Sequence, residues 1–286
     1  MTTLESRLTL VPRSRELHCA GHRIHFLEWG DPNHDTVLIW HGVAGNAAEG
    51  ELLARHLATE YHVLCPDSIG CGKSEWPQDP TRDMVMASQC EVAQSLLEQL
   101  GVERVRWIGA SRGGSLGIYA CAHITGIDIT HLVINDSAPQ LPEKFRLALA
   151  RNLQTLPEAD SLEGFEKLLR AGLSRDHLQL KDAEWRWLAR IWSRRTEKDT
   201  YTYHHTPELW NMLIYDPRDY ELWDCYEQIT ASTLLIRGEK TKMMTDNDVK
   251  RMQTTGARCR VINRPGGHVS LYQTALEQNA IAGFLR

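Results

Sequence analysis

The stretch RVRWIGASRGGSLGIYACA, residues 104–122, is the most informative part of this sequence. A mostly apolar run at 105–108 gives way to small residues and then to apolar residues at helical spacing, which predicts a strand that turns directly into a helix. Between them Gly109-Ala110-Ser111-Arg112-Gly113 fits the pattern G-x-S-x-G. Glycines two residues before and after the serine relieve the crowding of so sharp a bend. The pattern predicts that Ser111 is a nucleophile, and a serine that only caps the helix is the alternative.

The segments on either side of this bend alternate between strand and helix. Strand patterns occupy residues 22–30, 35–42, 61–77 (where a strand runs into a glycine-rich loop), 102–110, 129–139, 232–240 and 259–267. Helix patterns occupy residues 47–60, 83–101, 113–124 and 269–285. Strands that alternate with helices predict an α/β fold with a mostly parallel sheet. We expect the first two of these strands to form an antiparallel ribbon at its edge.

The pattern changes between residues 140 and 228, which are polar, helical in character and rich in tryptophan. We predict a core domain of residues 1–139 and 229–286, interrupted by a helical cap at 140–228. Large indole rings are suited to a binding wall. The predicted substrate-binding residues are therefore Trp185, Trp187, Trp192 and Trp210, with packing onto the core domain as the alternative.

The composition of the 286 residues narrows the function. The net charge of −5 shows no basic excess, so we expect no nucleic-acid partner. Seven cysteines without a CxxC pair favour reduced thiols over a disulfide framework or a zinc site. Residues 1–26 lack the apolar run of a secretory signal, and no stretch is long and apolar enough to span a membrane. We predict a cytoplasmic protein with a small-molecule substrate, no membrane partner and no cofactor; its oligomeric state stays open.

A nucleophilic serine needs a base and donors for an oxyanion. Among thirteen histidines His268 is preferred, because RPGGHVS follows the last strand, at the sheet edge where Ser111 is expected. His41 is expected to be structural. The pair His204–His205 lacks a third ligand at a suitable spacing, so no metal site is predicted. The predicted oxyanion donors are the backbone N–H groups of Val43 and Arg112. We expect the Arg112 side chain to bond protein carbonyls or a carboxylate, with contact to an acidic substrate as the alternative.

Four motifs together resemble the α/β-hydrolase superfamily: HGVAG (41–45), DSIGCGKS (67–74), GASRGG (109–114) and GGHV (266–269). Their order matches that family over nearly the whole chain. The resemblance implies an eight-stranded, mostly parallel sheet with a serine triad and a cap that lines the pocket. It also implies a loop near the site that is shaped by Asp67, Gly70, Gly72 and Ser74.

The acid member of the triad departs from the pattern. Many relatives carry it three or four residues past the glycine of LLIRG, where this chain has Thr241 and Lys242. We predict Asp136, at the end of the strand VIND, with Asp246 and Glu239 as alternatives. TDND, which contains Asp246, has the pattern of a capped helix start.

The predicted function is hydrolysis of an ester, lactone or similar acyl bond of a small, mainly apolar molecule through an acyl-enzyme. A serine at the bend argues against dehalogenase and epoxide hydrolase chemistry, which uses an aspartate there in this superfamily. The alternatives are a carbon–carbon bond hydrolase of aromatic breakdown, a cofactor-independent oxygenase or lyase that uses the His/Asp pair, and a non-catalytic ligand-binding receptor.

Overall fold

The structure is a computed structural model that describes residues 10–286. Predictions that concern residues 1–9, including part of the segment read as lacking a secretory signal, lie outside the described residues. The strands are β1 (Arg13–Cys19), β2 (His22–Trp29), β3 (Thr36–Trp40), β4 (His62–Pro66), β5 (Arg104–Ala110), β6 (Asp128–Asn135), β7 (Ser193–Arg195), β8 (Tyr201–Tyr203), β9 (Ser232–Gly238) and β10 (Arg260–Arg264).

The α-helices are α1 (Glu51–Leu57), α2 (Pro80–Asp83), α3 (Met86–Gln99), α4 (Arg112–His123), α5 (Glu143–Leu153), α6 (Leu162–Gly172), α7 (Asp182–Trp192), α8 (Trp223–Glu227), α9 (Asp246–Thr254) and α10 (Ala275–Phe284). Short 3₁₀ helices occupy Ala47–Gly50, Ser174–Asp176, Leu209–Leu213 and Pro217–Tyr220. The last helix begins at Ala275 rather than at residue 269, because Thr274 caps it by accepting a hydrogen bond from the N–H of Glu277.

Within residues 10–286 the main sheet has eight strands in the order β1-β2-β4-β3-β5-β6-β9-β10. From β4 to β10 neighbouring strands run parallel, while β1 and β2 form the antiparallel edge. The predicted edge ribbon of 22–30 with 35–42 is therefore wrong. Each residue of β3 is buried, which suits a central strand that pairs in parallel with β4 and β5. The true ribbon is closed by Ala20 and Gly21, both at positive φ.

The sheet has an apolar layer on each face, and successive residues of β3 contribute to opposite layers. Leu38 and Trp40 belong to the layer formed with α3, α4, α8 and α9. Val37 and Ile39 belong to the layer formed with α1 and α10. Because β3, β5, β6 and β10 run in the same direction, their carboxyl ends lie along one edge of the sheet, where the loops of the candidate site begin.

Residues 140–228, which we call the cap segment, connect β6 to β9. One of its apolar clusters joins the 3₁₀ helix Leu209–Leu213 and α5 to Cys71 and Met84 of the core loops. A second cluster lies between α6 and α7. The cap segment also contains the short antiparallel pair β7–β8, which the sequence pattern did not indicate. The domain division itself stays a prediction.

Each cysteine is a free thiol. In the part of the chain that the structure describes, no group of three or more His, Cys, Asp or Glu side chains is arranged to hold a metal ion. Over the same residues no helix combines the length and the apolar character needed to cross a membrane.

Candidate active site

Ser111 lies in the turn between β5 and α4 with a backbone conformation of φ 49° and ψ −118°. A Cβ on Gly109 would lie 2.1 Å from the carbonyl oxygen of Gly113, and a Cβ on Gly113 would lie 2.3 Å from that of Trp40. Both positions therefore require glycine, as the sequence pattern implied. Ser111 makes no side-chain capping bond to α4. Its Oγ lies instead 2.9 Å from Nε2 of His268.

His268 links Ser111 to Asp136. Its Nδ1 lies 2.8 Å from Oδ2 of Asp136, whose side chain is 1% exposed. With Nδ1–H donating to the carboxylate, Nε2 is the nitrogen that accepts the Ser111 hydroxyl. The same carboxylate accepts hydrogen bonds from the N–H of Gly238 at 2.8 Å and from Oγ1 of Thr241 at 2.6 Å. These donors hold Asp136 in the orientation that reaches the imidazole.

The two alternative acids lie elsewhere. The carboxylate of Asp246 is 91% exposed and forms an ion pair with Arg237 at 2.8 Å. Asp246 opens α9, which has the predicted cap, a reciprocal capping box between Thr245 and Asp248. Glu239 is exposed. Thr241, at the position where many relatives carry the acid, supplies a hydroxyl donor to Asp136 in this chain.

The loop after β3 passes beside Ser111. A Cβ on Gly42 would lie 3.4 Å from the Cβ of Ser111, and Val43 lines the same cavity as Ser111 and Arg112. Arg112 is the first residue of α4, where backbone N–H groups have no partner within the helix. Both predicted oxyanion residues are thus adjacent to the serine.

His41 shapes this loop and does not face the cavity. Its Nε2 accepts from the N–H of Ser68 at 2.9 Å, and its Nδ1 bonds the carbonyl of Gly42 at 2.6 Å. Burial lowers the pKa of His41, so the ring stays neutral and keeps both bonds. The sequence-based expectation of a structural role agrees with this geometry.

Asp67 ties the 67–74 loop to the segment after β3. Its carboxylate accepts from Nδ1 of His25 at 2.7 Å and from the N–H groups of Ala47 at 2.6 Å and Lys73 at 2.8 Å. Burial opposes ionisation, but these hydrogen bonds outweigh it and lower the pKa of Asp67. A Cβ on Gly72 would lie 2.2 Å from this carboxylate, so the loop closes around Asp67 only with glycine there.

The guanidinium of Arg112 is bound within the protein. It donates to the hydroxyl of Tyr220 at 2.8 Å and to the carbonyl of Met84 at 2.9 Å, and it lies 3.6 Å from the carboxylate of Asp219. Burial raises the pKa of Asp219, although Arg112 acts in the opposite direction. The side chain therefore fastens α4 to the cap segment, and the backbone N–H is the part of Arg112 next to Ser111.

A cavity beside Ser111 has about 360 Å³ of empty space, part of it open to solvent. Its wall is mostly apolar. The lining residues are Val43, Ser111, Arg112, Ser115, Ser137, Ala138, Gln140, Leu141, Leu149, Leu213, Tyr220 and Met243. Within this wall the hydroxyls of Ser115 and Ser137 lie 2.8 Å apart, so one of them donates to the other and the second retains its own proton.

The cavity lining does not include the predicted substrate-binding residues Trp185, Trp187, Trp192 and Trp210. The structure favours the alternative, packing between cap and core. Nε1 of Trp192 donates to Oε1 of Glu49 at 2.6 Å, and Nε1 of Trp187 lies 3.4 Å from a carboxylate oxygen of Glu51. Trp210 packs in the apolar cluster of the 3₁₀ helix Leu209–Leu213. The sequence alone carried no information about which surface these rings contact.

His204 connects the cap segment to both core loops, a role that the sequence did not reveal. Its Nδ1 accepts from the N–H of Gly72 at 2.9 Å, and its Nε2 lies 3.2 Å from the carbonyl oxygen of Ala44. Burial lowers the pKa of His204 to about 3 and that of His205 to about 4. Both ring nitrogens of His204 are therefore bonded to backbone groups of the core loops.

An open, mostly parallel sheet with this serine–histidine–aspartate arrangement at its carboxyl edge defines a class of hydrolase. The family model described as the alpha/beta hydrolase fold matches residues 35–274. The chain belongs to the α/β-hydrolase family and is an enzyme of that class.

Hydrolases are among the relatives of known name. The 3-hydroxybutyrate-oligomer hydrolase of Cupriavidus necator is 27% identical over 93% of this chain and 94% of its own length. An alpha/beta hydrolase from Novosphingobium aromaticivorans superposes with a TM-score of 0.86 at 21% identity, over 96% of this chain and 98% of that one. The enol-lactonase of Burkholderia xenovorans superposes with a TM-score of 0.75 at 17% identity, over 95% and 99%. At these identities the structural matches show the fold alone.

Proposed function

We propose that this protein hydrolyses ester bonds of small molecules through an acyl-enzyme on Ser111. The observation that carries the proposal is the continuous hydrogen-bond chain from Ser111 through His268 to the buried Asp136. A serine hydroxyl becomes a competent nucleophile when a base within hydrogen-bond reach removes its proton, and the carboxylate stabilises the charged imidazole that results.

In the first half-reaction, Oγ of Ser111 attacks the ester carbonyl carbon while its proton passes to Nε2 of His268. The negative charge on the carbonyl oxygen is held by the N–H groups of Val43 and Arg112. When the tetrahedral intermediate collapses, the alcohol leaves with the proton from His268. Water then attacks the acyl group, His268 takes its proton, and that proton returns to Oγ as the acid departs.

The acyl group that we propose is short, apolar and hydroxylated. Leu141, Leu149 and Leu213 supply apolar contacts, while the Ser115–Ser137 pair offers a hydroxyl proton about one helical turn beyond Ser111. The Cupriavidus necator relative acts, by its name, on 3-hydroxybutyrate oligomers, whose acyl groups have this character. Esters of short 3-hydroxy acids are therefore the substrate class that the cavity and the relative support together.

The test uses the full chain with p-nitrophenyl butyrate, p-nitrophenyl 3-hydroxybutyrate and 3-hydroxybutyrate dimers and trimers. We expect turnover of all three, with a preference for the hydroxylated acyl group. Ser111→Ala and His268→Ala should each reduce kcat by about a thousandfold or more. A fluorophosphonate probe should label Ser111, as located by peptide mapping.

Two outcomes would contradict the proposal. Activity that survives Ser111→Ala but not His268→Ala would assign the chemistry to the His/Asp pair, as in a lyase or oxygenase. Ligand binding without turnover or labelling of Ser111 would indicate a receptor on the same fold.

A further inference from the structure

Asp176, at the end of the 3₁₀ helix Ser174–Asp176 in the cap segment, forms hydrogen bonds with the loop that carries His268. Its Oδ1 accepts hydrogen bonds from the N–H of His268 at 2.8 Å and from the N–H of Val269 at 3.2 Å. Its main-chain carbonyl accepts from the N–H of Gly267 at 2.8 Å. Three consecutive backbone N–H groups around His268 are thus bound to one aspartate that lies 92 residues away from His268 in sequence.

The fit between Asp176 and this loop depends on glycine. A Cβ on Gly267 would lie 2.8 Å from the carbonyl oxygen of Asp176 and 2.9 Å from its Oδ1. Gly266, one residue earlier, has φ +98°, a conformation that other residues rarely adopt. Two adjacent glycines give the loop little rigidity of its own, so contacts with its surroundings must fix the orientation of His268.

The opposite side of His268 is held by the core. The guanidinium of Arg264 donates to the carbonyl of His268 at 2.8 Å, and it is 3.5 Å from the buried carboxylate of Glu277. The core therefore binds the C=O of His268 while the cap segment binds its N–H. Bonds from N–H groups to a charged carboxylate are stronger than neutral ones, so Asp176 is a firm anchor.

We propose that Asp176 is a positioning residue that holds the imidazole of His268 between Ser111 and Asp136, so that docking of the cap segment completes the hydrogen-bond chain. The proposal rests on the proposed function for its kinetic consequence. Without Asp176, the loop around Gly266 and Gly267 samples other conformations and His268 leaves the line between its two partners. Docking of the cap thereby controls when the base is in place.

The experiment compares Asp176→Ala, Asp176→Asn and the control Asp182→Ala in the full chain. Asparagine keeps a carbonyl oxygen that accepts both N–H bonds, whereas alanine removes it. Asp182 is another cap aspartate; its side chain is 77% exposed and pairs with Arg170 on the surface. For p-nitrophenyl butyrate we expect Asp176→Ala to lower kcat roughly ten- to hundredfold with KM nearly unchanged. Asp176→Asn should restore most of the loss, and Asp182→Ala should behave as wild type.

Amide hydrogen exchange supplies a readout that does not need turnover. In Asp176→Ala the amides of His268 and Val269 should exchange at least about tenfold faster. The amide of Gly267, bonded to the main-chain carbonyl of the same residue, should change less if the turn has stayed in place. Unchanged exchange at His268 and Val269, or a kcat equal to that of wild type, would overturn the proposal. An inactive wild type with the expected exchange pattern would instead count against the proposed function alone.

Discussion

The loops at the carboxyl ends of the sheet and the cap segment contribute to the site in different ways. The loops supply Ser111, Asp136 and His268, whose side chains contact one another directly. The cap segment supplies part of the apolar wall, and through Asp176 and His204 it bonds the backbone of those loops. On the proposed role of Asp176, the cap acts on the chemistry by holding the loop that carries His268, while the core loops provide the three reacting side chains.

The largest loss of activity should result from a substitution in the core loops. Asp136→Asn keeps the shape of the side chain but removes the charge that orients and stabilises the imidazole of His268. We expect kcat for p-nitrophenyl butyrate to fall about 10³- to 10⁴-fold. Asp246→Asn is the matched control, because that exposed carboxylate lies away from the site and pairs with Arg237. Equal and mild losses in the two variants would contradict the assignment of Asp136.

The contact between Glu49 and Trp192 of the cap segment should make the free energy of unfolding depend on pH. Burial raises the pKa of Glu49 to about 8, even though Trp192 of α7 donates to its carboxyl group. Between about pH 4.5 and 8 the folded protein retains a proton that the unfolded chain releases, so the free energy of unfolding falls as pH rises and then levels off. This loss amounts to at most roughly 5 kcal/mol.

Glu49→Gln should remove that dependence, since the amide keeps an acceptor for Trp192 without a titratable group. Thermal unfolding of both proteins at pH 5, 7 and 9 measures it, and Glu51→Gln serves as a less buried control on the same segment. The variant should match wild type near pH 5 and exceed its stability at pH 9. Parallel curves for the two proteins would show that Glu49 is not protonated in the folded state.

Two glycines, one in the bend after β5 and one in the cap segment, test how tightly the backbone is packed in each region. In Gly113→Ala the new Cβ would meet the carbonyl oxygen of Trp40 at 2.3 Å, so the bend must shift, and we expect a loss of about 3 kcal/mol in unfolding free energy. Gly172, at the end of cap helix α6, has open space around it. Gly172→Ala should be neutral or stabilising by up to about 1 kcal/mol. Urea unfolding measures both, and equal effects would remove the distinction.

The sequence predicted those parts of the site that depend on local backbone geometry. Gly109 and Gly113 reveal the bend because no other residue fits there, and the order of buried strands identifies the parallel sheet. Asp136 was predicted on the resemblance to the α/β-hydrolase superfamily, some members of which carry their acid there, and because its strand ends at the same sheet edge as the strand before Ser111. The capping box of α9 could be predicted from Thr245 and Asp248, because they lie three residues apart.

The cap contacts could not be predicted because they join residues far apart in sequence. Asp176 accepts a hydrogen bond from the backbone N–H of His268, and His204 accepts one from that of Gly72. Every residue except proline has such an N–H group, so the sequence does not show which one will be bonded. The sequence left open whether the cap tryptophans contact substrate or the core domain, because that depends on how the cap packs in the folded chain. The sequence pattern also did not predict β1. As an edge strand it is mostly exposed and carries charges, so it lacks an apolar run.

The smallest expected effect concerns substrate selectivity, because residues of the core and of the cap segment together line the cavity. Ser115 lies in α4 and Ser137 follows β6, and their paired hydroxyls form a polar spot in the mostly apolar wall. Replacing both by alanine removes donor and acceptor together and leaves no buried hydroxyl without a partner. The ratio of kcat/KM for p-nitrophenyl 3-hydroxybutyrate to that for the butyrate ester should fall about five- to tenfold, which corresponds to the loss of one hydrogen bond.

Leu149→Ala, on the cap side of the same wall, is the control. It should lower kcat/KM for both esters by the same factor and leave the ratio unchanged. A ratio that stays constant in the double variant would place recognition of the hydroxyl elsewhere in the cavity, and a ratio that changes in Leu149→Ala would shift it towards the cap.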